Sequence, residues 1–148
     1  MSTNPPLDPQ ESLGFHCALT FRAFTAALER RLAGSGVSAT QFVALAHLIA
    51  LGPMVQASLA GRLGITPASA VRLIDRMERD GWVARQADPE DRRVKRVVPT
   101  DEARAMWRSV SRHGRAVLGQ AYRGIEPQEI TRAMHLLERV RANLEKEA

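Results

Sequence analysis

A chain of 148 residues with 45% apolar side chains is about one domain's worth and has enough apolar material for a core. Its 21 Lys and Arg against 16 Asp and Glu leave a net charge of +5, too small a surplus to prove a nucleic-acid partner by itself. A single cysteine, Cys17, excludes an intramolecular disulfide and favours a reducing, cytoplasmic setting.

The first residues lack the basic-then-apolar pattern of a secretory signal, so none is expected. The most apolar stretch, 42–51, contains His47 and is too short to span a bilayer. Residues 1–9 carry Pro5, Pro6 and Pro9 and read as a flexible arm. From Gln10 to Ala33, the apolar residues Leu13, Cys17, Phe21, Phe24, Leu28 and Leu32 recur at helical spacing, and Gly34-Ser35-Gly36 ends the run. Ser38 and Gln41 form a capping-box pattern ahead of a helix from Ala39 to Leu51. That helix is apolar nearly all round, which predicts burial, and Gly52-Pro53 stops it.

Two short helices joined by a tight turn come next. The first runs from Gln56 to Leu63, with Ala60 and Gly64 small enough for a close helix crossing. Thr66 caps the second, Pro67 is pre-set for its first turn, and it continues to Arg79. Leu59, Leu63, Ile65, Ala70 and Leu73 fall where such a pair buries apolar groups. After Asp80-Gly81, residues Trp82 to Arg85 read as a strand, Asp88-Pro89 as a turn, and Val94 to Pro99 as the returning strand. Val94, Arg96 and Val98 are expected on one face of it, Lys95 and Val97 on the other. Thr100 caps a long helix to about Tyr122, with Asp101 and Glu102 well placed in its first turn and Gly114 and Gly119 allowing bending or close packing. Pro127 opens a last helix whose Ile130, Met134, Leu137, Val140 and Leu144 approximate a heptad seam.

The pattern predicts a mainly α (α+β) fold: a winged helix-turn-helix with a two-stranded wing at 38–100, carried by a helical dimerisation region at 10–37 and 101–148. Leu59-Ala60-x-x-Leu63-Gly64-Ile65-Thr66, then Leu73-Ile74-Asp75-Arg76-Met77-Glu78-x-x-Gly81-Trp82-Val83, then Asp88-Pro89-x-Asp91-Arg92-Arg93 and Pro99-Thr100, resembles the MarR family of bacterial transcription regulators. The resemblance covers nearly the whole chain. It implies a homodimer held by the first, fifth and sixth helices, binding to palindromic operators in double-stranded DNA, and release by small aromatic or phenolic effectors, commonly as a repressor.

The first turn of the second helix of the pair would enter the major groove. There Thr66, Ser69 and Arg72 are candidate DNA contacts, Arg72 offering two donors to a guanine edge. Pro67 and Ala68 can offer only apolar contact. Arg62 and Arg76 suit phosphates, which set register rather than sequence. The wing carries Arg92, Arg93, Lys95 and Arg96 within five positions, and a guanidinium at a hairpin tip can enter a narrow minor groove. Asp91 is expected to hold Arg93 in one rotamer, the pair matching the family's Asp-x-Arg.

By resemblance, an effector pocket would be lined by Phe21, Phe24, Thr25, His47 and Trp107. His16, His47, His113 and His135 lack the spacing of a helical metal clamp, so no metal or cofactor is expected. No nucleophile elbow, phosphate-cradling glycine loop or zinc signature points to an enzyme. Two other readings stand beside DNA binding. One is a winged-helix module that binds protein. The other is a redox-sensing regulator based on Cys17, for which the sensing branch of the family supplies tyrosine partners; here the only tyrosine is Tyr122.

Overall fold

The computed structural model describes residues 7–146. Its elements are α1 (Leu13–Leu32), α2 (Ala39–Leu51), β1 (Met54–Val55), α3 (Gln56–Leu63), α4 (Pro67–Arg79), β2 (Val83–Ala87), β3 (Lys95–Pro99), α5 (Asp101–Ala121) and α6 (Pro127–Glu145). The mainly helical winged helix-turn-helix expected from the sequence is the fold observed. By its internal contacts the chain divides into two units, after Gly114. Most of the expected arm, residues 1–6, lies outside the described residues. No described helix is long and apolar enough to cross a membrane.

In the first unit, α1 begins at Leu13 rather than Gln10. Asp8 organises a turn ahead of it: its carboxylate accepts the N–H of Gln10 at 2.8 Å and its carbonyl that of Glu11 at 3.0 Å. Of the six residues in the expected stripe only Leu28 and Leu32 are buried, while Leu13 and Phe21 are exposed. The capping box at α2 is present. The Ser38 hydroxyl accepts the N–H of Gln41 at 3.2 Å, and the Gln41 side-chain oxygen Oε1 accepts the N–H of Ser38 at 3.0 Å.

Gly64 ends α3 in the left-handed conformation, φ 63°, with its N–H turned back to Ala60 and Gly61. A Cβ there would meet nothing within 4 Å. Gly64 is therefore required by backbone conformation, not by the close helix crossing anticipated. Thr66 and Pro67 then start α4 as expected, and Ala70, Ile74 and Met77 turn its apolar side inward.

β2 and β3 form the antiparallel wing hairpin, with Arg85 opposite Val97 and Ala87 opposite Lys95. The sheet has a third strand that the sequence reading lacked. β1 pairs with β3, Met54 opposite Val97 and Val55 opposite Arg96, so β3 is central. Leu45, Leu48, Leu59, Ile74, Met77, Val83 and Val97 pack together from α2, α3, α4 and the sheet, with Trp82, Met106 and Trp107 against them. Each fully buried aliphatic side chain there contributes about 1.5–3 kcal/mol. Thr100 fastens α5 to this body: its hydroxyl accepts the N–H of Ala103 at 3.1 Å and donates to the carbonyl of Gly81 at 2.7 Å.

In the second unit, α6 has no buried residue. Met134 and Leu144 of its heptad stripe are exposed, and Ile130, Leu137 and Val140 are only half-buried.

Candidate nucleic-acid interface

The first turn of α4 is a small hydrogen-bonded cluster. Thr66, at the N-cap, accepts the N–H of Ser69 at 3.1 Å, which satisfies one of the donors a helix leaves open at its start. The Thr66 hydroxyl donates to Ser69 Oγ at 3.0 Å, and Arg72 Nη2 donates to the same oxygen at 3.2 Å. Ser69 thus steadies the Arg72 guanidinium along its own helix. Pro67, Ala68, Arg72 and Arg76 are exposed, as is Arg62 on α3, while Ser69 is half-buried. At 100° per residue, Arg72, Asp75, Arg76 and Arg79 share the side of α4 away from Ala70, Ile74 and Met77. The wet face of this helix therefore mixes arginines with a carboxylate.

That carboxylate is occupied. Arg85, on β2, reaches across with both ends of its guanidinium: Nη2 lies 2.6 Å from Asp75 Oδ1, and Nη1 lies 2.6 Å from Glu78 Oε2. Its backbone N–H donates to Glu78 Oε1 at 3.3 Å, and Nη2 also reaches Gln56 Oε1 at 3.4 Å. Burial works against the charge on Arg85. The hydrogen bonds and charges of Asp75 and Glu78 outweigh it and raise the pKa above the usual guanidinium value.

The wing loop is built on Asp88, which is buried. Its Oδ1 accepts the N–H of Glu90 at 2.8 Å and that of Asp91 at 3.2 Å, and its Oδ2 accepts Arg96 Nε. The Glu90 N–H is the largest influence lowering the Asp88 pKa. Desolvation opposes it; the Asp91 N–H and Arg96 add to it. Arg96 is therefore committed within the wing and is not one of its free cations. Arg92, Arg93 and Lys95 are exposed.

Asp91 and Arg93 depart from their expected relation. Their side chains are 3.8 Å apart, and the Arg93 side chain is 95% exposed. An exposed pair at that distance holds a long side chain weakly, for about 0–1 kcal/mol. The firmer contact is from the Arg93 backbone N–H to Asp91 Oδ1, at 3.0 Å. Asp91 shapes the turn through this backbone bond and meets the Arg93 guanidinium only in a weak, exposed pair.

The expected effector-pocket residues differ in exposure. Phe21 is 64% exposed; Phe24, Thr25, His47 and Trp107 are half-buried. The Thr25 hydroxyl donates to the Phe21 carbonyl within α1 at 3.0 Å. Trp107 packs against Phe42, with ring centroids 4.8 Å apart and planes tilted by 41°. Burial first, and the charge of Arg62 second, lower the His47 pKa. Cys17 is a free thiol, half-buried on α1.

Arg85, Asp75, Glu78 and Asp88 are residues of the candidate interface that sequence reasoning missed. Asp88 was visible only as the start of a turn. The Arg85 contacts span up to 29 positions, to Gln56, and no local pattern announces them.

Comparison with known proteins accords with this geometry. The MarR family model matches residues 37–95, which hold the whole helix-turn-helix and most of the wing. The structure of transcriptional regulator PA3341 is similar at 33% identity, covering 91% of this chain and 99% of that one, with a TM-score of 0.83. CouR from Rhodococcus jostii RHA1, bound to p-coumaroyl-CoA, is similar in fold at 23% identity, covering 91% and 95%, with a TM-score of 0.79. A mutant of MarR from E. coli complexed with operator DNA is similar in fold at 22% identity, covering 86% and 92%, with a TM-score of 0.74. A capped recognition-type helix, an arginine-tipped wing on a three-stranded sheet, and full-length likeness to solved regulators converge: this chain belongs to the MarR family of transcriptional regulators.

Proposed function

We propose that the protein is a cytoplasmic, homodimeric, sequence-specific DNA-binding regulator that represses transcription at a palindromic operator and is released by a small aromatic effector. The observation that carries this reading is the pairing of two exposed basic elements on one winged helix. One is the start of α4, with Thr66, Ser69 and Arg72; the other is the wing tip, with Arg92, Arg93 and Lys95. Arg72 supplies direct base readout in the major groove and Arg93 a contact in the adjacent minor groove. Arg62 and Arg76 hold phosphates.

The homodimer is supported by the apolar residues that α6 leaves uncovered, Met134, Leu136 and Leu144. Two half-sites about one helical turn apart need two recognition helices at a fixed separation. A small effector is suggested by the p-coumaroyl-CoA in the CouR structure. It would act by favouring a separation of the recognition helices that misses the operator. Selection of bound sequences from a random DNA pool tests the reading. A two-fold symmetric consensus with salt-dependent affinity is expected; recovery of no enriched sequence would overturn it.

A further inference from the structure

A recognition helix that lies against a phosphate backbone should not carry bare carboxylates on its wet face. Asp75 shares that face with Arg72 and Arg79, and Glu78 lies one turn further along the helix towards its end. Both side chains retain about half their exposure, 51% and 43%. The cation that meets them comes from outside α4. Arg85 belongs to the wing, where it pairs across the ladder with Val97 on the central strand. Its two guanidinium ends take one carboxylate each at 2.6 Å, and its own backbone N–H takes a further Glu78 oxygen. The side chain is three-quarters buried, so the contact is a held structure rather than two mobile ions meeting in water.

We propose that Arg85 is a positioning residue for operator binding: it bridges the wing to the recognition helix and, by the same contacts, cancels the two carboxylates that would repel the DNA. This rests on the DNA-binding reading above. A planar fork is what the geometry requires, because a lysine ammonium on this strand can satisfy one carboxylate but not span both. The wing and recognition helix that carry Arg93 and Arg72 are then joined side to side through Arg85.

The test uses the full-length protein with four sequences: wild type, Arg85→Gln, Arg85→Lys, and the triple variant Arg85→Gln, Asp75→Asn, Glu78→Gln. Two readouts are taken, affinity for the selected DNA across a salt series and amide hydrogen exchange of residues 83–87 without DNA. Arg85→Gln is expected to weaken binding by about 10- to 100-fold and to speed exchange in β2. Arg85→Lys falls between it and wild type. The triple variant has no carboxylates left to mask but still lacks the bridge, so it recovers about half of the logarithmic loss of Arg85→Gln and keeps its fast β2 exchange. Wild-type affinity in Arg85→Gln, or a triple variant no better than Arg85→Gln, overturns the proposal. If wild type binds no DNA at all, the operator reading fails. The bridge is then judged by exchange alone, and unchanged β2 amides in Arg85→Gln overturn it.

Discussion

The ring of Phe42 on α2 occupies the space that a side chain at position 114 of α5 would need: a Cβ built on Gly114 would lie 2.6 Å from Phe42 Cζ. Phe42 cannot retreat freely, because its other neighbour is the Trp107 ring. Gly114→Ala gains up to about 1 kcal/mol of helix propensity. It loses about 1–3 kcal/mol to overpacking, so the net expectation is destabilisation. Chemical denaturation checks the sign, and adding Phe42→Leu to Gly114→Ala should return part of the loss.

Thr66 and Ser69 carry both the cap of α4 and the placement of Arg72. Thr66→Ala removes the cap and is expected to lower stability by about 1 kcal/mol in a thermal melt. Arg72→Ala should leave stability nearly unchanged. It is expected to cost about 1–3 kcal/mol of operator affinity and to relax the preference at one base position of each half-site. Binding to a panel of single-base operator variants separates the two effects.

Arg93 meets Asp91 only in a weak, exposed pair, so its removal should act mainly through DNA. Arg93→Ala is expected to weaken binding to many sequences alike and to reduce the slope of log affinity against log salt by about 0.9, one phosphate's worth. An unchanged titration would remove the wing tip from the mechanism.

Asp88 links the wing to pH. Its folded-state pKa is below the ordinary 3.8, so its stabilising contribution is complete above that value. The contribution is lost as pH falls through the lowered folded pKa. Asp88→Asn should mimic this loss at neutral pH. Faster amide exchange at Glu90 and Asp91 is expected, and the difference from wild type should shrink on acidification below 3.8.

His47 acts at milder pH. Its folded pKa is lowered from 6.5 by burial and then by Arg62. Below 6.5 the unfolded chain takes up the proton first, so stability falls with pH until the folded pKa is reached and is flat thereafter. A neutral substitute, His47→Gln, should lessen the drop in melting temperature between pH 7 and pH 5. Arg62→Ala should raise the His47 titration midpoint followed by NMR.

Much of this molecule was legible from short-range chemistry. Ser38 with Gln41, Thr66 with Pro67, and Thr100 with Asp101 are signals contained within four residues, and α2, α3 and α4 end where these and the glycines place them. β1 escaped notice because two residues cannot display alternation. At Gly64 small size and a left-handed backbone favour the same residue, and only the fold separates the two. The exposed arginines of the candidate interface could be named from spacing. The acids that Arg85 would meet could not, since Asp75 and Arg85 come together only through the folded approach of helix and strand.

The third strand changes what the wing can do mechanically. Met54 and Val55 knit β3 to the segment that runs straight into α3, so the hairpin is not a loose flap hinged at its two ends. Any tilt of the hairpin must drag on the beginning of α3 or break the main-chain bonds that β1 shares with β3. A push on α3 is likewise felt at the arginine tip, as along a lever whose fulcrum is the shortest of the described strands.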